Sequence, residues 1–104
     1  MELEFDAEII EWRGPAPYLF APLPPEQADD LAQVARELTY GWGCIPARGR
    51  IGGTEFTTSI FPRAGGYLVP VKTAVQRAEG VGLGDVIHLE IQLEPTVGRS
   101  DQDR

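Results

Sequence analysis

The chain of 104 residues contains one cysteine, one histidine and few basic residues, and it lacks any long apolar run. Each scarcity excludes something. A lone Cys44 forms no intrachain disulfide, so a packed core has to supply the stability, and a reducing cytoplasm is the expected setting. A helix that crosses a bilayer needs about 20 mostly apolar residues, and no such stretch is present, so no membrane partner is expected. His88 and Cys44 fall short of the usual zinc donor set, so neither a metal nor another cofactor is expected. The same shortage argues against nucleophilic catalysis. A Ser-His or Cys-His pair would have to bring His88 to Ser59, Ser100 or Cys44, and no spacing does so. No catalytic residue is assigned, and the chain is expected not to be an enzyme. The opening MELEFDAEII is acidic where a secretory leader is basic and then apolar, which argues against export.

Hydrophobic residues make up 42% of the chain, enough for one globular core and too much for a disordered segment. The net charge of −7 repels nucleic acid at long range. That charge is unevenly placed. Residues 1–40 hold two arginines against nine acids, and residues 79–104 hold two arginines against six acids. In between, Arg48, Arg50, Arg63, Lys72 and Arg77 face Glu55 alone. Two readings follow: these cations pair with acids of neighbouring strands, or they form an anion-binding face.

Leu3, Phe5, Ala7 and Ile9 alternate with acids, the period of a half-buried strand, and the Ile9-Ile10 pair shifts the phase towards a bulge or bend. Gly14-Pro15 turns the chain into a short strand at Tyr18–Ala21. An amphipathic helix is expected over 25–40, opened by Pro24-Pro25, with an apolar stripe of Ala28, Leu31, Ala32, Ala35 and Leu38 and a stop at Gly41 or Gly43. A strand over 44–51 competes with Pro46 and Gly49. A strand over 54–61 and a hairpin partner over 67–72 follow, joined by Arg63-Ala64-Gly65-Gly66, and Pro70 points to an edge or a bulge. Thr73 to Gln76 matches a capping box, and Gly80 a left-handed stop, for a short helix over 73–79. The alternation of Ile87, Leu89, Ile91 and Leu93 marks the clearest strand. The expected organisation is one mainly-β domain over residues 1–94 and a loose tail over 95–104.

The many glycines do not build a phosphate loop: the lysine-containing motif is missing, and Gly80-Val-Gly82-Leu-Gly84 precedes a strand where a dinucleotide fingerprint would open a helix. Thr57, Ser59 and Phe61 share one strand face, with Phe56, Thr58 and Ile60 on the other. Hydroxyls beside aromatics suit a small-molecule site, although threonine is also simply a strand former. Arg48 and Arg50 share a strand face, and Lys72 ends a strand where Thr73 begins a helix. The candidate anion site is therefore Arg48, Arg50, Ser59, Lys72 and Thr73, with Thr57 as a second hydroxyl.

Three motifs carry a resemblance. The run Arg50-Ile-Gly-Gly-Thr-Glu-Phe-Thr-Thr-Ser-Ile-Phe-Pro, then Gly65-Gly-Tyr-Leu-Val-Pro-Val-Lys72, then Gly84-Asp-Val86 resembles the bacterial and archaeal domain-of-unknown-function family 1905. The resemblance spans about residues 3–94. It implies a small double-split β-barrel, distantly similar to AbrB-type regulators and MazE-type antitoxins, and it brings no catalytic residues. Those relatives bind DNA as dimers through basic N-terminal surfaces, whereas the N-terminal strand here is acidic. The leading expectation is a non-enzymatic binding or interaction module, monomer or homodimer, for a small anionic ligand or a protein. The alternatives are an AbrB-like dimeric DNA-binding regulator and a barrel that binds or transforms a small apolar molecule.

Overall fold

The computed structural model describes residues 1–12, 18–38, 44–63 and 65–93. Among these, seven strands and two helices follow the order β1 (Glu2–Glu8), β2 (Ile10–Trp12), β3 (Tyr18–Pro22), α1 (Pro25–Leu38), β4 (Ile45–Ile51), β5 (Thr54–Arg63), β6 (Gly66–Pro70), α2 (Thr73–Glu79) and β7 (Val86–Leu93). The strands form one curled antiparallel sheet in the order β1-β7-β4-β5-β6-β3-β2, a half-barrel, so the fold is mainly β as expected. The Gly14-Pro15 turn, the helix stop at Gly41 or Gly43 and the tail over 95–104 lie outside the described residues.

Alternation decides which side of the sheet is dry. Leu3, Phe5 and Ala7 of β1 and Ile87, Leu89, Ile91 and Leu93 of β7 point inward and are buried, while the residues between them face outward. Ile9, fully buried, sits at the break between β1 and β2 and exchanges backbone hydrogen bonds with Gly84 and Asp85. The phase shift at Ile9-Ile10 is therefore a real change of strand. On α1, Ala28 and Leu31 are buried and Val34 and Ala35 pack against the core, whereas Ala32 is exposed; Val34 takes the place expected for Ala32.

The strand over 44–51 runs through the middle of the sheet, between β7 and β5, despite Pro46 and Gly49. Among the described residues, its pairs with β7 run from Ala47↔Leu93 to Ile51↔Leu89. Gly49 lies directly across from Phe56, and a Cβ there would stand 2.6 Å from the end of the Phe56 ring. Glycine thus leaves the space that the ring occupies. Pro70 is also placed by its missing N–H. The Val71 N–H donates to the Leu19 carbonyl of β3, so by strand alternation the nitrogen of Pro70 faces the β5 side. There β5 has already departed, because its last pairs with β6 are Phe61↔Leu68, Pro62↔Tyr67 and Arg63↔Gly66.

The expected capping box does not form. Lys72, not Thr73, occupies the N-cap of α2 and makes no side-chain cap, while the Gln76 side chain donates to the Val71 carbonyl at 2.7 Å. Gly80 does close the helix in the left-handed region, at φ 66°.

Candidate binding groove and the charged sheet face

The separation of β5 from β6 opens a groove of about 600 Å³. Its walls are Leu19 and Phe20 of β3, Pro70 and Val71 at the end of β6, and Phe61 of β5; Phe20 and Phe61 meet edge to face with centroids 6.1 Å apart. Thr57, Thr58 and Ser59 of β5 and Lys72 supply the polar lining. Lys72 spans the split: its ammonium donates to the Thr57 carbonyl at 2.9 Å. The cation is thus held at the groove rim, and α2 is too short for its N-terminus to matter as an anion site.

Arg48 and Arg50 belong to a different surface, the outward face of β1, β7, β4 and β5. Register sets it out in rows. One row runs Glu4, Glu90, Arg50, Glu55; the next runs Glu2, Gln92, Arg48, Thr57; a third pairs Asp6 with His88. These strands form a depression of about 480 Å³. Arg50 donates to Glu90 Oε1 at 2.7 Å, and that bond, more than any other contact, raises its already high pKa. Arg50 therefore takes the ion-pair role. Arg48 makes no ion pair with any described residue.

The candidate anion residues are consequently divided. Ser59 and Lys72 line the groove with Thr57, Arg50 belongs to the acidic lattice, and Thr73 is an exposed first residue of α2. Arg48 stands between the two regions, because Thr57, its partner across β4 and β5, carries the carbonyl that holds Lys72. Cys44 is free and half-buried. The sequence placed Thr57, Ser59 and Phe61 together, and all three line the groove; the walls from Leu19, Phe20 and Pro70 were missed, because Phe20 meets Phe61 only through the pairing of β3 with β6.

His88 is more engaged than an exposed strand histidine needs to be. Its Nδ1 lies 2.6 Å from Asp6 Oδ1 and its Nε2 lies 2.6 Å from Glu4 Oε2. Two donated bonds require the imidazolium. The hydrogen bond to Asp6, then that to Glu4, raises the His88 pKa above the ordinary 6.5, with partial desolvation opposing. The charged groups around it are Asp6 and Glu4 on β1, Glu90 on β7 and, bonded to Glu90, Arg50 on β4. A raised folded-state pKa means that protonation favours the fold. The contribution is complete below the unfolded-state pKa and disappears as pH rises through the folded value. In chelator-containing buffer, the gap in urea midpoint between the natural chain and His88→Gln is expected to be larger at about pH 6 than at about pH 9. A gap that stays constant across that range contradicts this assignment.

The profile of one family, described as a domain of unknown function (DUF1905), matches residues 5–91. The chain belongs to this family. The DUF1905 match runs from β1 into β7 and takes in both helices and every residue of the groove; Glu2 and Glu4 of the charged face lie outside it. None of the curated proteins matches the chain. No helix among the described residues is long and apolar enough to cross a membrane.

Proposed function

We propose that this DUF1905 chain is a ligand-binding module whose site is the groove between β5 and β6, and that its ligand is a small apolar organic anion. One observation carries the reading: in a chain of net charge −7, the groove has aromatic, aliphatic and prolyl walls, and among the described residues its lining holds no carboxylate and a single ammonium, at its rim. A rigid apolar body fits against Phe20, Phe61 and Pro70, and its acid group faces Lys72. The hydroxyls of the β5 residues add directional contacts. The Lys72 ammonium already holds one carbonyl and has donors left for an anion. Arg48, which makes no ion pair with any described residue, lies across β4 and β5 from Thr57 and is the next cation beyond the groove.

The DNA-binding reading gains no support from this arrangement. Arg48 and Arg50 stand among Glu2, Glu4, Glu55 and Glu90, which repel a phosphate backbone.

Titration with 1-naphthoate, decanoate and the neutral analogue 1-naphthalenemethanol, followed by amide NMR, tests the proposal. Saturable shifts are expected at Thr57–Phe61 and Val71–Thr73 for the two acids. Lys72→Gln is expected to weaken acid binding by roughly 3- to 10-fold, the size of a solvent-exposed charge contact, and to leave the alcohol unaffected. Equal affinity for acid and alcohol would remove the anion from the proposal. Absence of saturable shifts with all three probes would remove the groove itself.

A further inference from the structure

On the charged face, three potential ligand atoms from two residue types converge outside the groove. We propose that His88, Glu4 and Glu90 form a binding site for a divalent transition-metal ion, with Asp6 holding the imidazole in place from outside the ligand set. One ligand atom from each of the three residues lies within 4.8 Å of the others, close enough for a single ion to reach all of them. The pairing of β1 with β7 produces this arrangement. Glu4 is directly opposite Glu90, Asp6 is opposite His88, and His88 and Glu90 are two apart on the same outward face.

The imidazole separates this cluster from an ordinary patch of surface acids. Asp6 engages Nδ1 at 2.6 Å, which turns Nε2 towards Glu4 Oε2, also at 2.6 Å. A carboxylate on the far nitrogen is the usual outer support of a metal-bound histidine, because it fixes the ring orientation and leaves the other nitrogen's lone pair for the ion. In the metal-free protein a proton occupies the space between Nε2 and Glu4; a metal ion would replace it. One imidazole and two carboxylates suit Zn²⁺, Ni²⁺ or Co²⁺ better than Mg²⁺ or Ca²⁺, which prefer oxygen donors alone. Three protein ligands leave room for water on the ion. Arg50 holds Oε1 of Glu90, and the nearby guanidinium together with solvent exposure weakens the site. Micromolar affinity is therefore expected.

Isothermal titration of the tag-free, chelator-treated chain with Ni²⁺ alone and with Zn²⁺ alone, at about pH 7.5, tests the site. About one ion per chain is expected, with His88→Gln and Glu4→Gln each weakening binding by roughly 10-fold or more, and Asp6→Asn by less than His88→Gln. All three substitutions fall on exposed positions, and far-UV circular dichroism checks that the fold is retained. A second measurement needs no variant: in the natural chain, the ¹⁵N resonance of His88 Nε2 should move on adding Zn²⁺, while Mg²⁺ leaves it in place. Binding no tighter than millimolar, unchanged affinity in His88→Gln or an unmoved Nε2 resonance would each overturn the proposal. The site shares no residue with the groove, so either proposal can fail without the other.

Discussion

Leu89→Ala is expected to lower the unfolding free energy by about 3–5 kcal/mol, the usual cost of removing a large aliphatic side chain from a tight core. Leu89 has no exposed surface. It lies on β7 between two paired strands, opposite Phe5 on β1 and opposite Ile51 on β4, both buried. Regular strands pair on both sides of this position, so the backbone has little freedom to collapse into the cavity that alanine leaves. For a domain of this size such a loss lowers the melting temperature by more than about 10 °C. Val86→Ala provides the contrast on the same strand. Val86 is 70% exposed, and its loss should cost less than about 0.5 kcal/mol. Urea titration of both variants decides the matter. Similar midpoints for the two would mean that β7 does not carry the core.

Gly49→Val should destabilise the fold by about 2–3 kcal/mol, through crowding where the first variant creates a void. The glycine is in the middle of β4, where its lack of a side chain would ordinarily weaken a strand. Here the Phe56 ring fills the space: an added Cβ would lie 2.6 Å from Cζ and 2.9 Å from Cε2 of that ring, and 3.2 Å from Cδ1 of Ile91. Ile91 is buried, so little room exists on that side. Any larger side chain must push the ring off the core, against which it packs. The signature is non-additivity. In the double variant Gly49→Val with Phe56→Ala, the clash is gone, and the combined cost should fall at least about 1 kcal/mol below the sum of the single costs. Strict additivity would show that the glycine is needed for some other reason.

Much of the fold was legible in the sequence because burial of one sheet face imposes a period of two on the chain. The alternations at Leu3–Ile9 and Ile87–Leu93 marked both strands and their dry faces, and β1 and β7 pair from Glu2↔Gln92 to Glu8↔Val86. The two helices were marked by Pro24-Pro25 and Gly80, residues whose backbone constraints act locally. The capping box misled because Thr73 and Gln76 have the right spacing, yet the N-cap is Lys72 and the Gln76 side chain donates to the Val71 carbonyl where a capping box would have it accept from the N-cap N–H. The strand over 44–51 was the hardest to read. Pro46 and Gly49 oppose a strand locally, and what compensates at Gly49 is an aromatic ring directly across on the next strand.

By itself, then, the amino-acid sequence determined the kind of protein: a mainly-β, acidic, single-core chain of the DUF1905 family, because composition, alternation and motif are properties of neighbouring residues. Tertiary structure alone decided where the chemistry lies. The basic middle segment is one stretch in sequence, but register sends Arg50 to Glu90 and sends Lys72 to a carbonyl across the sheet split. His88 and Glu4, 84 positions apart, meet only because β1 and β7 pair. Strand pairing brings together residues that are distant in the chain, and the partner of a strand is chosen by the whole sheet rather than by the strand's own residues.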